Sequence, residues 1–357
     1  MENKVIPINP GGAISRPDPR DYKWEELGSG ISPFNWSLGF DIEEKLAGIL
    51  GKTSFKLPVK DQDGSSSCGG QAWGYYGAVK EAVATKSFEE RSAKFIYSQT
   101  FYPNGGGSTG RDNCILVTKS GWGLESLTKS YDNDKPPGEA FMVRPQDITD
   151  QARIEAKKAL AFSYANVAID IDSIAQAVKE NDGVVILIEG SNNGTWLKPF
   201  PNPPTPGQTI WRHWLYVGKA KMIDGKKYIG FINSWGQQVG INGWQWVGES
   251  YMGNIKEGWT LVFKVPEPVQ SFYHKFIVDI KFGTESDEVT ALQRALQIDG
   301  TFPKGIKPTR YFGDITRRAV LDFQIKYQIA PLSELYGLNG KSVGPKTRAK
   351  LNVLFGN

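Results

Sequence analysis

The chain is poor in cysteine and in histidine, with two of each among 357 residues. Two cysteines cannot build a disulfide framework, so Cys68 and Cys114 read as free thiols. Nowhere do eighteen apolar residues follow one another, and the opening MENKVIPINPGGAISRPDPRDYKW has no basic start leading into an apolar run. Neither a membrane span nor a secretory leader is therefore expected. No metal or cofactor is expected either.

What is present is ordinary in bulk and uneven along the chain. Hydrophobic residues at 39% with 22% charged residues exclude a disordered or fibrous protein. The length exceeds what one core usually reaches, so two domains are expected. Aromatics at 12%, with 11 Trp and 40 Gly, suit irregular loops and open aromatic surfaces. From His274 onward thirteen Lys or Arg face eight Asp or Glu, so the tail carries the net charge of +4. A basic module can meet an anionic polymer such as cell wall or nucleic acid, and a solvated face has the same composition.

Residues 1 to about 56 are rich in Pro and Gly and read as an irregular arm with one helical pattern, FDIEEKLAGIL. From Ser67 on, Ala72, Tyr75, Tyr76, Val79, Ala82 and Val83 recur at helical spacing, with Ser66 or Ser67 available as a cap. Helical patterns follow in RSAKFIYSQTF, GLESLTKSY, QARIEAKKAL and DSIAQAVKEN. GVVILIEG then reads as a buried strand and the proline-rich WLKPFPNPPTPGQT as a surface loop. WLYVGKAKM and KKYIGFINSW flank Asp224-Gly225, a hairpin signal. Helices first and sheet second make the order α+β. Two prolines in FKVPEPVQSFYHK mark a boundary near residue 270. Beyond it, VTALQRALQI is helical, and GDITRRAVLDF is echoed by GPKTRAKLNVLF after 31 residues. In both copies Gly precedes the helix and Thr316 or Thr347 follows in the first turn. A small all-helical bundle is expected.

Cys68 stands at a helix N-terminus, where the dipole and a nearby imidazolium can favour a thiolate. Of the two histidines, only His213 opens a strand in the same domain. Asn233, on the strand returning from the hairpin, can fix its tautomer. A strict two-residue turn sets Asn233 opposite Tyr216, on the wrong face, so the pairing demands a bulge. Cys114, in DNCILVTKSGW, reads as buried filler and His274 as a surface residue, and Gly105 to Gly107 as a flexible loop or a cleft lining.

Gln62, Cys68 at a helix start, His213 opening a strand, and Asn233-Ser234-Trp235-Gly236, followed by Gly240, Asn242, Gly243 and Trp244, resemble the papain-like cysteine peptidases. The likeness runs from about Pro17 to Pro266, and PDPRDYKW is similar to the entry segment of bacterial and viral relatives. The resemblance implies Cys68 as nucleophile, His213 as base, Asn233 as its orienter and Trp235 as the shield of that hydrogen bond, with Ser234 and Gly236 completing the motif. It also implies an oxyanion hole from the Gln62 amide and the Cys68 backbone N–H. Gly69 and Ser65 stand where the family has Trp and a disulfide-forming Cys. Arg212 stands where an acidic residue is common, and its charge disfavours an imidazolium.

VTALQRALQI, YFGDITRRAVLDFQ and GKSVGPKTRAKL resemble the three-helix peptidoglycan-binding domains, over about residues 275 to 355. The resemblance implies a glycan or stem-peptide ligand held by Tyr311, Thr316, Arg317 and Gln324.

The expected organisation is an N-terminal arm (1–56), a two-lobed papain-like peptidase domain (57–268) and a small three-helix all-α domain (274–357). The expected activity is a Cys-His-Asn thiol peptidase brought to the bacterial cell wall. The rival readings are a phage or bacterial lysin cutting wall peptides, and an inactive wall-binding or virion protein that kept the fold. The expected partners are a peptide or protein substrate and a wall ligand, without nucleic acid or membrane, for a monomer. Location is open between the cytoplasm and a phage-associated particle acting at the wall.

Overall fold

The computed structural model describes every residue except 1–10, 19, 20, 22, 28–32, 63, 104, 105, 132–137, 160, 162, 263–271, 304, 305 and 357. The boundary expected near residue 270, Gly105 and parts of the entry segment lie outside the described residues. The chain separates into two compact units, Met1–Lys264 and Val265–Asn357.

In the first unit the arm is less irregular than its composition suggests. It forms β1 (Gly12–Ala13), α1 (Trp24–Leu27), β2 (Phe40–Asp41) and α2 (Ile42–Ile49). The helical part follows: α3 (Cys68–Thr85), α4 (Ala93–Thr100), β3 (Ser108–Thr109), α5 (Gly110–Lys119), α6 (Glu139–Met142) and α7 (Asp150–Ala156). Then come β4 (Ser163–Asn166), α8 (Ile171–Asn181), β5 (Val184–Ser191), β6 (Ile210–Ile223), β7 (Lys226–Ile232), β8 (Trp244–Gly248) and β9 (Ile255–Val262). The main sheet has seven strands in the order β4-β9-β5-β6-β7-β8, with β2 added beside β6.

β5 reads as an unbroken apolar run because both of its faces are covered. Val185 and Leu187 face the core with Trp73, Tyr76 and Val79 of α3. Val184, Ile186 and Ile188 face Ile174, Ala177 and Val178 of α8. GLESLTKSY is not the helix its spacing suggests. Arg91 bridges Leu124, the Glu125 N–H donates to the Glu90 carbonyl, and the Glu125 side chain takes the Ser130 N–H at 2.5 Å. Pairing with the 90–92 segment thus replaces helical bonds.

The β6–β7 hairpin turns at Asp224 and Gly225, with φ of 47° and 73°. That is a left-handed pair of the kind Asp-Gly accepts. Ile223 pairs with Lys226 and Lys219 with Gly230, and then the register shifts so that Val217 pairs with Phe231 and Tyr216 with Ile232. Gly218 is the extra residue, and it moves Asn233 to the face of His213, as parity requires. A Cβ at Gly218 would sit 2.7 Å from Ile42 Cγ2, so a bulge here needs glycine. β6 itself begins at Ile210, so His213 lies inside the strand rather than opening it.

The second unit holds α9 (Asp287–Asp299), α10 (Asp314–Lys326) and α12 (Pro345–Phe355), the three expected helices. It adds β10 (Ile280–Lys281), a short α11 (Leu332–Leu338) and β11 (Ser342–Val343), with β10 and β11 antiparallel. Its repeat is also a repeat of hydrogen bonds. Gln293 Nε2 donates to the Tyr311 carbonyl (3.0 Å) and Thr316 Oγ1 (2.7 Å). Gln324, 31 positions later, donates to the Ser342 carbonyl (2.9 Å) and Thr347 Oγ1 (3.0 Å).

Candidate active site

Cys68 is the first residue of α3 and is fully buried. Ser67 occupies the cap position without capping the helix. Its hydroxyl bonds the Ser65 hydroxyl (2.8 Å) and takes the Gln71 amide, while Ser65 Oγ donates to the Gln62 carbonyl (2.8 Å). Hydroxyls therefore brace the loop where the family places a disulfide. Gly69 packs so tightly that a Cβ would lie 2.3 Å from Ser108 Oγ, which leaves no room for a Trp.

The Cys68 sulfur takes the N–H of Trp214, the residue after His213, at 3.4 Å. Burial pushes the Cys68 thiol up to about 12, against the pull of the Trp214, Gly69 and Cys68 backbone N–H groups, and the Glu139 carboxylate adds to the rise. With this burial the neutral thiol is the resting form.

His213 is fully buried, and its ring stacks on Trp235 with centroids 4.6 Å apart. His213 Nε2 meets Asn233 Oδ1 at 2.9 Å. The direction of that bond follows from its neighbours. Gln245 Nε2 donates to the carbonyls of Trp196 (2.8 Å) and Lys198 (2.7 Å), so Gln245 Oε1 accepts, and it takes Asn233 Nδ2 at 2.8 Å. Asn233 Oδ1 therefore faces the imidazole and also takes the Ser234 N–H at 2.7 Å. An acceptor at Nε2 puts the proton there and leaves Nδ1 as the basic nitrogen. Nδ1 has no hydrogen-bond partner among the described residues. Burial pushes the His213 pKa down to about 4, with the Asn233 bond pulling the other way.

Arg212 does not disturb this imidazole as its sequence position suggests. Its guanidinium is paired with Glu189 (2.9 Å), and burial is the largest cause of the His213 shift. Gln62 is buried beside the site: its Oε1 accepts Ser234 Oγ (2.6 Å), its Nε2 donates to the Ser65 carbonyl (3.0 Å), and its N–H donates to the Ser234 carbonyl (2.8 Å). Gly236, at φ 86°, sends its N–H to the Lys60 carbonyl (3.1 Å).

The chain is similar to solved structures of cysteine proteases, three of which follow. Xylellain, a cysteine protease from Xylella fastidiosa, is 20% identical with a TM-score of 0.56, over 71% of this chain and 96% of that one. The fold is papain-like. A procathepsin B from Trypanosoma congolense (12%, TM-score 0.54, 71% and 85% covered) and procathepsin L 3 of Tenebrio molitor larval midgut (16%, TM-score 0.50, 72% and 77% covered) agree. Residues 285–331 match the family model described as "Putative peptidoglycan binding domain". No curated protein matches the chain.

Three features of the papain-like unit escape sequence reading. Gln245 has no motif to mark it. Glu139 takes the Ser66 N–H on Oε2 (2.7 Å) and the Tyr97 hydroxyl on Oε1 (2.7 Å), and Tyr97 in turn takes the Gly107 N–H (2.8 Å). One carboxylate thus ties together the Cys68 loop and the Gly106–Gly107 loop. The third feature is the arm. Gly11 and Gly12 thread between Ser66 and Gly107 on one side and Leu187 and Arg212 on the other. A Cβ on Gly11 would lie 1.9 Å from the Ser66 carbonyl oxygen, and one on Gly12 would lie 2.4 Å from Leu187 Cδ1 and 2.9 Å from the Arg212 carbonyl carbon. β1 pairs parallel with β3, the Ser108 N–H donating to the Gly11 carbonyl at 3.0 Å. Only glycine fits this passage between the neighbours of Cys68 and of His213. The sequence signal was Gly11-Gly12 in a proline-rich arm.

In the second unit Thr316 and Gln324 are buried. They serve the repeated braces rather than an open ligand surface, a correction to their expected ligand contact. Tyr311 is half exposed, and Arg317 pairs with Asp314 (2.9 Å) and Asn339 (2.7 Å). His274 bonds Glu288 at 2.9 Å, and Cys114 lies in the core.

Proposed function

We propose that the chain is a cysteine-type peptidase that hydrolyses peptide bonds through an acyl-enzyme and is brought to the bacterial cell wall by its second unit. The observation that supports this reading is the chain of hydrogen bonds from Gln245 through Asn233 to His213, which leaves Nδ1 as the basic nitrogen. In the reaction Nδ1 takes the Cys68 proton and the sulfur attacks the scissile carbonyl carbon. The developing oxyanion meets the Cys68 N–H and the Gln62 amide. The imidazolium then protonates the departing amine, and water, deprotonated by His213, releases the acid. The arm precedes all of this: while Gly11 and Gly12 lie between Ser66 and Arg212, substrate cannot enter, so the described form is latent.

The peptidoglycan-binding match at residues 285–331 favours wall peptides over soluble proteins as substrate. Tyr311 and Arg317 are the candidate contacts there. Zymography of protein truncated after β1, which ends at Ala13, on cell walls and on casein tests the reading. Clearing of walls supports it, and clearing only of casein leaves a general peptidase. The rival, an inactive protein that kept the fold, predicts no labelling of Cys68 by an epoxide inhibitor after truncation. Rapid labelling that His213→Ala abolishes excludes that rival.

A further inference from the structure

We propose that the papain-like unit carries a second binding site, for a sugar bearing a carboxylate. A cavity of about 410 Å³ opens between Glu43 at the start of α2, the segment from Lys56 to Val59, Lys219 and Lys221 on β6, and Trp244 and Trp246 on β8. That volume suits a monosaccharide or disaccharide and falls within the range of small-molecule sites.

The charges in this cavity are unequally matched. Lys219 faces Asp41 (2.8 Å) and Glu43 (2.7 Å), and Lys56 faces Glu43 (3.1 Å), so these four groups balance. Lys221 also lines the cavity and has no carboxylate partner among the described residues. Its ammonium rests 4.3 Å from the Trp246 ring centroid. An incoming carboxylate gives it the counter-ion that the fold withholds.

The walls ask for a ring that can lie against indole. Trp244 and Trp246, two positions apart on β8, point to the same face. Trp246 lies flat across Gly230, where a Cβ would stand 2.7 Å from the indole. Trp244 is 5% exposed and lends its ring to the cavity wall. A simple anion would satisfy Lys221 and leave the indole walls without a partner.

One wall of the cavity leads to the backbone of Asn233: Val59 packs against Gly243, whose carbonyl takes the Asn233 N–H at 2.8 Å. The site rests on the wall-directed reading above and refines its substrate to a peptide still attached to an acidic glycan.

The full-length protein is titrated with N-acetylmuramic acid, N-acetylglucosamine and lactate, following tryptophan fluorescence and the indole N–H resonances. The expected result is saturable binding of N-acetylmuramic acid, with the other two weaker by about tenfold or more. Lys221→Gln and Trp244→Phe are each expected to weaken it by a similar factor, and the Trp244 N–H resonance is expected to shift in the parent protein. Lactate or N-acetylglucosamine binding as well as the acid sugar would overturn the proposal. So would binding that survives Lys221→Gln, which would place it on the second unit, or no saturation by any probe. Casein hydrolysis by the truncated protein is measured in parallel, because a peptidase that fails to bind the sugar sinks this site and leaves the proposed activity standing.

Discussion

Gln245 holds Asn233 in one orientation, its Oε1 taking the Asn233 amide at 2.8 Å while its own amide is spent on the Trp196 and Lys198 carbonyls. Gln245→Leu removes that constraint without touching sulfur or imidazole. Asn233 can then turn its NH₂ toward His213 and favour the wrong tautomer. In the truncated protein kcat is expected to fall by about 10- to 100-fold with KM little changed, as for loss of a group that orients a catalytic base. Steady-state kinetics check this, and an unchanged kcat would show that the His213 tautomer does not depend on Gln245.

Glu139 joins two walls of the groove through Ser66 and Tyr97 and adds negative charge near the thiol. Glu139→Gln removes the charge and keeps one of the two bonds. The alkylation profile of Cys68 is expected to move to lower pH, because a nearby anion opposes thiolate formation. KM is expected to rise as the Gly107 backbone loosens. A role in folding alone would lower the active fraction and leave the profile in place. Iodoacetamide rates against pH separate the two.

The placement of Cys68 at a helix start, of His213 in a strand and of Asn233 within hydrogen-bond reach of His213 was legible because each carries a local signal. The bulge was legible too, since parity alone forbids His213 and Asn233 from sharing a face across a regular hairpin, and Gly218 supplies it. Gln245 and Glu139 were not legible, because their importance lies in partners far off in sequence. GLESLTKSY misled because Leu124 and Leu127 keep helical spacing while the Arg91 segment takes the backbone bonds. Gln324 and Thr316 misled for the opposite reason. Polar residues on a helical repeat resemble a ligand surface until Thr316 proves to take the Gln293 amide and Gln324 to reach Thr347.

Gly218→Ala tests whether the bulge is fixed by packing. The added methyl meets Ile42 Cγ2 at 2.7 Å and the Tyr216 ring at 2.9 Å, both within the core. A destabilisation of about 1–3 kcal/mol is expected from such overpacking. A loss of kcat beyond the loss of folded protein is also expected, because Asn233 takes its register from this residue. Urea denaturation with activity per folded molecule checks both, and a neutral substitution would mean that the hairpin sets the register elsewhere.

The buried pair makes the closed form stable only over a window of pH. His213 is held near 4 against an ordinary 6.5, so below 6.5 an unfolded or opened chain takes up a proton that the closed form refuses. Stability is therefore lost as pH falls from 6.5 toward 4, by about 3 kcal/mol at most, at 1.36 kcal/mol per pKa unit. Cys68 is held near 12 against an ordinary 9, so above 9 the opened chain releases a proton that the closed form keeps. Stability is lost again as pH rises from 9 toward 12, by about 4 kcal/mol at most. Denaturant midpoints are expected to form a plateau between these limits, and His213→Gln is expected to flatten the acid limb alone. Gly12→Val tests whether the arm is what imposes the window. Its side chain cannot pass Leu187 and the Arg212 backbone, so the arm must leave the groove, and Cys68 is expected to react with iodoacetamide near neutral pH. A Gly12→Val protein as inert as the parent would mean that the interior itself, and not the arm, keeps the thiol from solvent.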